Sequence, residues 1–112
     1  MNFLDKIQNK KILVVGLGRT GKATLEMLGG KGCELYAQDS KARDDMDEAL
    51  VALIDRTCKH AFLGQNPDET KFDYVIMSPG VSPELEFIQR AEKTGAEVIG
   101  ELELAYRLCD GT

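Results

Sequence analysis

A short apolar run, KILVV over residues 11–15, breaks without a spacer into Gly16-Leu17-Gly18-Arg19-Thr20-Gly21, and a helical pattern follows at once. Few folds accept that order. Successive apolar, β-branched residues describe a strand covered on both faces, and a helix that starts immediately after it must fold back over a parallel sheet. Within the turn, Gly16 permits a tight reversal, Gly18 lets backbone approach a ligand, and Gly21 lets the helix pack on the strand. The helix start offers unpaired N–H groups to an anion, and Thr20 adds a hydroxyl. In this strand-to-helix setting the hexapeptide reads as a phosphate or nucleotide loop, the alternative being a glycine turn kept only for close packing.

The rest of the chain repeats the alternation. From Arg19 to about Gly30 the helical pattern places Ala23, Met27 and Leu28 near one face, and Gly29-Gly30 stop it. A second strand is predicted at Cys33–Gln38, ending at Asp39. A helix follows from Met46 to Thr57, with Met46, Ala49, Leu50, Leu53 and Ile54 at spacings of three and four. His60–Gly64 reads as a short strand, Gly64 to Lys71 as a polar loop, and Tyr74–Met77 as a buried strand broken by Ser78-Pro79-Gly80. Ser82 is the expected N-cap of the next helix, with Pro83 at its first position, running to Thr94-Gly95. Ala96–Ile99 forms a last strand and Glu101–Leu108 a last helix. Five strands alternating with helices predict one α/β domain, a Rossmann-like open parallel sheet of about five strands with helices on both faces.

Composition narrows the function. With 112 residues there is room for one core. A formal charge of −5 argues against a nucleic-acid partner, because phosphate backbones need clustered Lys and Arg. No apolar stretch approaches the ~20 residues of a membrane span, so no membrane partner is expected. Cys33, Cys58 and Cys109 are scattered and read as free thiols in a reducing cytoplasm. His60, the only histidine, reads as a structural or surface residue. The acidic cluster from Asp44 to Glu48 complements a helix start and needs no metal to explain it. No catalytic set and no G-x-x-x-x-G-K-[ST] loop is visible, so the residues describe a binding domain without a reaction centre.

Two further elements join the glycine loop. Asp39 ends the second strand 18 residues after Gly21, where an acidic residue could hold a ribose hydroxyl pair. Ser40, Lys41 and Arg43 follow and could turn that preference toward a phosphorylated ribose; a solvated strand-end Asp is the bland alternative. Ser78-Pro79-Gly80 lies at the carboxyl end of a strand, on the rim where open α/β sheets bind ligands. On these residues alone, an NAD(P)-binding domain of a dehydrogenase or regulator and a non-enzymatic module both stay open.

The segments "VVGLGRTGKA", "AQDSK" and "DYVIMSPGVSPELEFIQRAEKTGAEVIGELELA", taken together, resemble the N-terminal domain of the Mur ligases, and among them the branch that adds D-glutamate. The resemblance covers most of the chain apart from about residues 42–63, and its specific part is S-P-G-V followed by a helix and GAEVIGELELA. It implies that the chain is an isolated first domain that holds the UDP part of a UDP-N-acetylmuramoyl-L-alanine substrate. Gly18, Arg19 and Thr20 would meet the diphosphate; Asp39, Ser40 and Lys41 would surround the uridine; Ser78, Pro79 and Gly80 would close the pocket. Lys41 stands where relatives commonly carry arginine, which removes a fork-shaped contact. The resemblance also implies a central domain that brings ATP and Mg2+ and a third domain that brings the amino acid. The whole enzyme would make an amide through an acyl phosphate in peptidoglycan precursor synthesis, and so serve cell shape and division. This chain would bind as a cytoplasmic monomer, without cofactor and without turnover.

That expectation makes Glu101–Leu108 the seam toward a following domain. We expect its amides to exchange hydrogen faster than those of Leu13–Val15, and equal protection of the two segments would refute it.

Overall fold

The structure is a computed structural model that describes residues 3–67, 71–79, 81 and 85–110, with the side chains of residues 19, 20, 109 and 110 excluded. Five parallel strands, β1 (Lys11–Val15), β2 (Glu34–Asp39), β3 (Cys58–Leu63), β4 (Tyr74–Met77) and β5 (Glu97–Gly100), lie in the order β3-β2-β1-β4-β5. The helices are α1 (Phe3–Lys6), α2 (Arg19–Leu28), α3 (Glu48–Thr57), α4 (Glu86–Lys93) and α5 (Glu101–Asp110), with one 3-10 turn at Arg43–Asp45. This is the doubly wound α/β sheet expected from the alternation of elements. Strand ends differ from the expected ones by one or two residues, as at Cys58 and Gly100.

Alternation along the strands divides the core in two. Ile12, Val14, Leu35, Ala37, Ile76 and Ile99 face a layer made by α2, α3 and α5 through Leu25, Leu28, Leu53, Ile54 and Leu104. Leu13, Val15, Tyr36, Val75 and Met77 face the other way, toward Phe87, Ile88 and Ala91 of α4 and toward Phe72. The second face has only one of the four long helices. Among the described residues the connection from β3 to β4 holds no helix, and its Phe72 meets Tyr36 edge to face, with ring centroids 5.4 Å apart.

Three local expectations are corrected. The buried face of α2 is Gly21, Thr24, Leu25 and Leu28, spaced i, i+3, i+4, i+7, whereas Ala23 is exposed and Met27 is 40% exposed. The next helix after β4 begins at Glu86, with Leu85 still extended at the N-cap position (φ −58°, ψ 136°). Ser82 and Pro83, expected to open it, lie outside the described residues. The turn α1 was not expected, because four residues carry too little periodicity; Phe3 and Ile7 nonetheless reach the core, and Phe3 packs against Tyr74.

Close approach fixes the glycines of the first loop. Gly16 has φ +88°, a conformation that disfavours any side chain, and a Cβ there would sit 2.9 Å from Ser78 Oγ and 2.9 Å from Val81 Cγ2. At Gly21 an added Cβ would collide with the Gly16 carbonyl oxygen, so helix and loop touch backbone to backbone. Gly21→Ala should therefore lower stability by about 2–3 kcal/mol despite alanine's better helix propensity, which corresponds to roughly 10–20 °C in Tm. A thermal melt checks this, and an unchanged Tm would show that the helix can back away from the loop.

Candidate functional site

The register sets Gln38 opposite Val15, Val15 opposite Met77, and Met77 opposite Gly100. The next residue of each strand or turn is therefore level as well: Asp39, Gly16, Ser78 and Glu101 form one row along the carboxyl rim. The connections from β1 and β4 leave on opposite faces of the sheet, which opens a crevice between their ends, the usual ligand position in such sheets.

Hydrogen bonds tie that row together. The Gly16 N–H donates to the Gln38 carbonyl (2.8 Å) and the Ser78 N–H to the Val15 carbonyl (3.1 Å). Asp39 accepts from the Leu17 N–H on Oδ2 (2.6 Å) and from the Lys41 N–H on Oδ1 (2.8 Å). Both carboxylate oxygens thus brace the two loops on either side of it. Ser78 Oγ lies 2.9 Å from the Gly16 carbonyl oxygen and 2.7 Å from Glu101 Oε1. Of the expected contacts, Asp39 and Ser40 line a cleft of about 350 Å³, together with Gly16, Gln38, Asn66, Val81, Leu85 and Phe87. Lys41 is exposed beside it, and Ser78 and Pro79 line a separate, more apolar recess with Met77, Val98, Ile99 and Glu101. Gly80 and the side chains of Arg19 and Thr20 lie outside the described residues.

The glycine loop leaves one direction open. A Cβ added at Gly18 would meet nothing within 4 Å. Gly18 is the N-cap of α2, where the first N–H groups have no intrahelical acceptor, and the Gly18 carbonyl already takes the Lys22 N–H (2.9 Å). Every other α-helix carries an acidic residue in its first turn: Asp5, Glu48, Glu86, and Glu101 with Glu103. Helix α2 has none of its own, and the carboxylate nearest its start is Asp39, on the Leu17 N–H.

Other candidates fall away from this rim. Arg43 turns to α3, its Nη1 2.9 Å from Asp55 Oδ1, so the phosphorylated-ribose alternative loses its arginine. Burial pushes the Cys33 and Cys58 thiols up from the usual thiol range, the reverse of an activated nucleophile. His60 is an exposed residue of β3 whose ring edge meets Phe62.

Residues 10–100 match the family model described as "Mur ligase MurD-like, N-terminal domain". The chain belongs to that family. Over 110 residues it is 36% identical to the UDP-N-acetylmuramoylalanine–D-glutamate ligase of Alkaliphilus metalliredigens, covering 95% of this chain and 24% of that protein. The ligase of the same name from Desulfitobacterium hafniense is 38% identical over 104 residues, covering 90% and 22%. The MurD-like chain thus spans about a quarter of the length of the relatives it matches. Among solved structures, shikimate dehydrogenase from Aquifex aeolicus superposes with a TM-score of 0.54 at 15% identity, covering 91% of this chain and 46% of that one. That likeness is one of fold.

Sequence reasoning missed Gln38, Asn66, Val81, Leu85 and Phe87 as cleft residues, and Glu101 as a member of the rim. Two signals were available. Gln38 is the one uncharged polar side chain in a strand of otherwise apolar interior residues, and its Nε2 reaches the Gln65 carbonyl (3.1 Å). Glu101 is the first residue past β5, as Asp39 closes β2.

Because Asp39 accepts two backbone N–H groups, Asp39→Asn must turn its NH2 toward one of two donors. We expect a loss of about 1–3 kcal/mol in urea denaturation. Wild-type stability in that variant would mean the carboxylate braces nothing.

Proposed function

We propose that this MurD-like domain holds the UDP end of a UDP-N-acetylmuramoyl-L-alanine substrate for an ATP-dependent ligase that attaches D-glutamate in peptidoglycan precursor synthesis. The observation that carries the reading is the start of α2, which has no acidic first turn, an open approach at Gly18, and an adjoining cleft beside Asp39 and Ser40. The diphosphate meets the N–H groups of Gly18, Arg19 and Thr20, where the helix dipole and unpaired donors favour negative charge. The uridine enters the cleft between Ser40, Asn66 and Phe87, near the lower end of the ~300–1,000 Å³ range of ligand clefts. Ser78 and Pro79 line the neighbouring recess, which shares Val81 with the cleft. Family membership supports the choice of a uridine nucleotide. The engagement of both Asp39 oxygens by backbone speaks against the ribose clamp of a dinucleotide site.

Binding and not turnover is the role we assign to this chain by itself, as a cytoplasmic monomer. Its residues do not fit ATP with Mg2+: the sequence has no G-x-x-x-x-G-K-[ST] loop, and among the described residues no three His, Cys, Asp or Glu side chains converge. Phosphoryl chemistry and the incoming amino acid then belong to a central and a C-terminal domain of the full-length enzyme.

Titration of the chain with UDP, and in parallel with NAD, followed by NMR, tests the proposal. Amide shifts at Gly18, Ser40 and Asn66 should saturate with UDP and stay small with NAD. Gly18→Ala should leave stability within ~0.5 kcal/mol, because the methyl enters open space, yet weaken UDP about tenfold by obstructing the anion. A response to NAD alone would move the site to the dinucleotide class.

A further inference from the structure

The peptide unit joining Gly16 to Leu17 is gripped at both ends. Its N–H donates to Asp39 Oδ2, and its carbonyl oxygen faces Ser78 Oγ. Behind Ser78 stands Glu101, which is half-buried at the first position of α5. A serine hydroxyl carries one hydrogen, and the Gly16 carbonyl and an ionised Glu101 are both acceptors. Two acceptors therefore compete for it from either side of the hydroxyl. A carboxylate attracts the hydrogen more strongly than a neutral carbonyl does. A donor in place of the carboxylate would reverse this, giving its hydrogen to Ser78 and sending the serine hydrogen to Gly16.

From this we infer that Glu101 is a positioning residue for the glycine loop, acting through the Ser78 hydroxyl on the Gly16 carbonyl. It touches no part of the nucleotide. Its effect is on the tilt of the Gly16–Leu17 peptide plane, and so on the aim of the next donor, the Gly18 N–H. Gly16 at φ +88° supplies no side-chain restraint, so the hydrogen-bond partners bear on the plane beside the buried Leu17 side chain and the close Gly21 backbone. The ligand part of this inference rests on the UDP reading; the structural part does not.

Comparison of Glu101→Gln with Glu101→Ala in the 112-residue chain tests it. Both remove the same charge from the first turn of α5, so the helix-dipole effect cancels between them. Either change frees the serine hydrogen for Gly16, but glutamine also gives an NH2 donor that holds the Ser78 side chain in place, whereas alanine leaves that side chain unheld. Without ligand, hydrogen exchange at the Leu17 amide should stay within about twofold of wild type in E101Q and quicken about tenfold in E101A, with Leu13 and Val14 unchanged in both. With UDP, E101A should bind about fivefold to tenfold more weakly and E101Q within about twofold of wild type. In a Ser78→Ala background, Glu101→Gln should change nothing at Leu17, which keeps the inference testable if E101A does not fold. Identical Leu17 exchange in E101Q and E101A overturns the positioning role, even where wild type binds UDP. If the two variants separate at Leu17 while wild type ignores UDP, the positioning role stands and the nucleotide reading falls.

Discussion

The approach of Ser78 onto Gly16 is the contact on which the rest of the rim depends. It requires β1 and β4 to be neighbours in register, with Val15 level with Met77, and a residue at position 16 that has no side chain. Remove either condition and the two loops separate by at least the width of a methyl group. Gly21 carries the same constraint to the other side, because the Gly16 carbonyl occupies the place its Cβ would take. Strand, turn, helix and neighbouring strand thus meet at one peptide unit, and close packing makes such a junction stiff.

Charge around that junction is divided by function. Asp39 and Glu101 both point at protein donors, the Leu17 and Lys41 amides in one case and the Ser78 hydroxyl in the other. Negative charge is therefore placed on the inner parts of the loop, while the start of α2 carries none. In the proposed function, an anion arriving at Gly18 would meet backbone donors at the helix start. Preorganised donors bind without the cost of ordering a loop on arrival. The net charge of −5 is no obstacle, since the local field at a helix start is decided within one turn.

Most of the fold was legible from residues 11–108, because buried parallel strands are written as continuous apolar runs and their helices as 3.6-residue periods. Legibility failed where a local pattern was short or where a neighbour overrode it. The turn at Phe3–Lys6 is one such case, and the exposed Met27 is another, set by which face Leu25 and Leu28 present to the sheet. For the site, Gly16, Gly18, Gly21, Asp39 and Ser78 were named in advance. Asp39 and Ser78 were read as contacts to a ligand; the structure adds that their oxygens engage backbone groups and, for Ser78, Glu101. A sequence cannot tell these apart, because a side chain at a rim has the same identity whether it faces inward or outward.

By itself the sequence determined the element order, the glycine loop and the family to which residues 10–100 belong. These are local properties, carried by spacing along the chain. Only the tertiary structure decided that Asp39, Gly16, Ser78 and Glu101 stand in one row. It also decided that a single serine hydrogen lies between two acceptors 62 and 23 residues away. The reason is that strand order and register are fixed by packing of both sheet faces at once, and no segment of the chain contains that information alone.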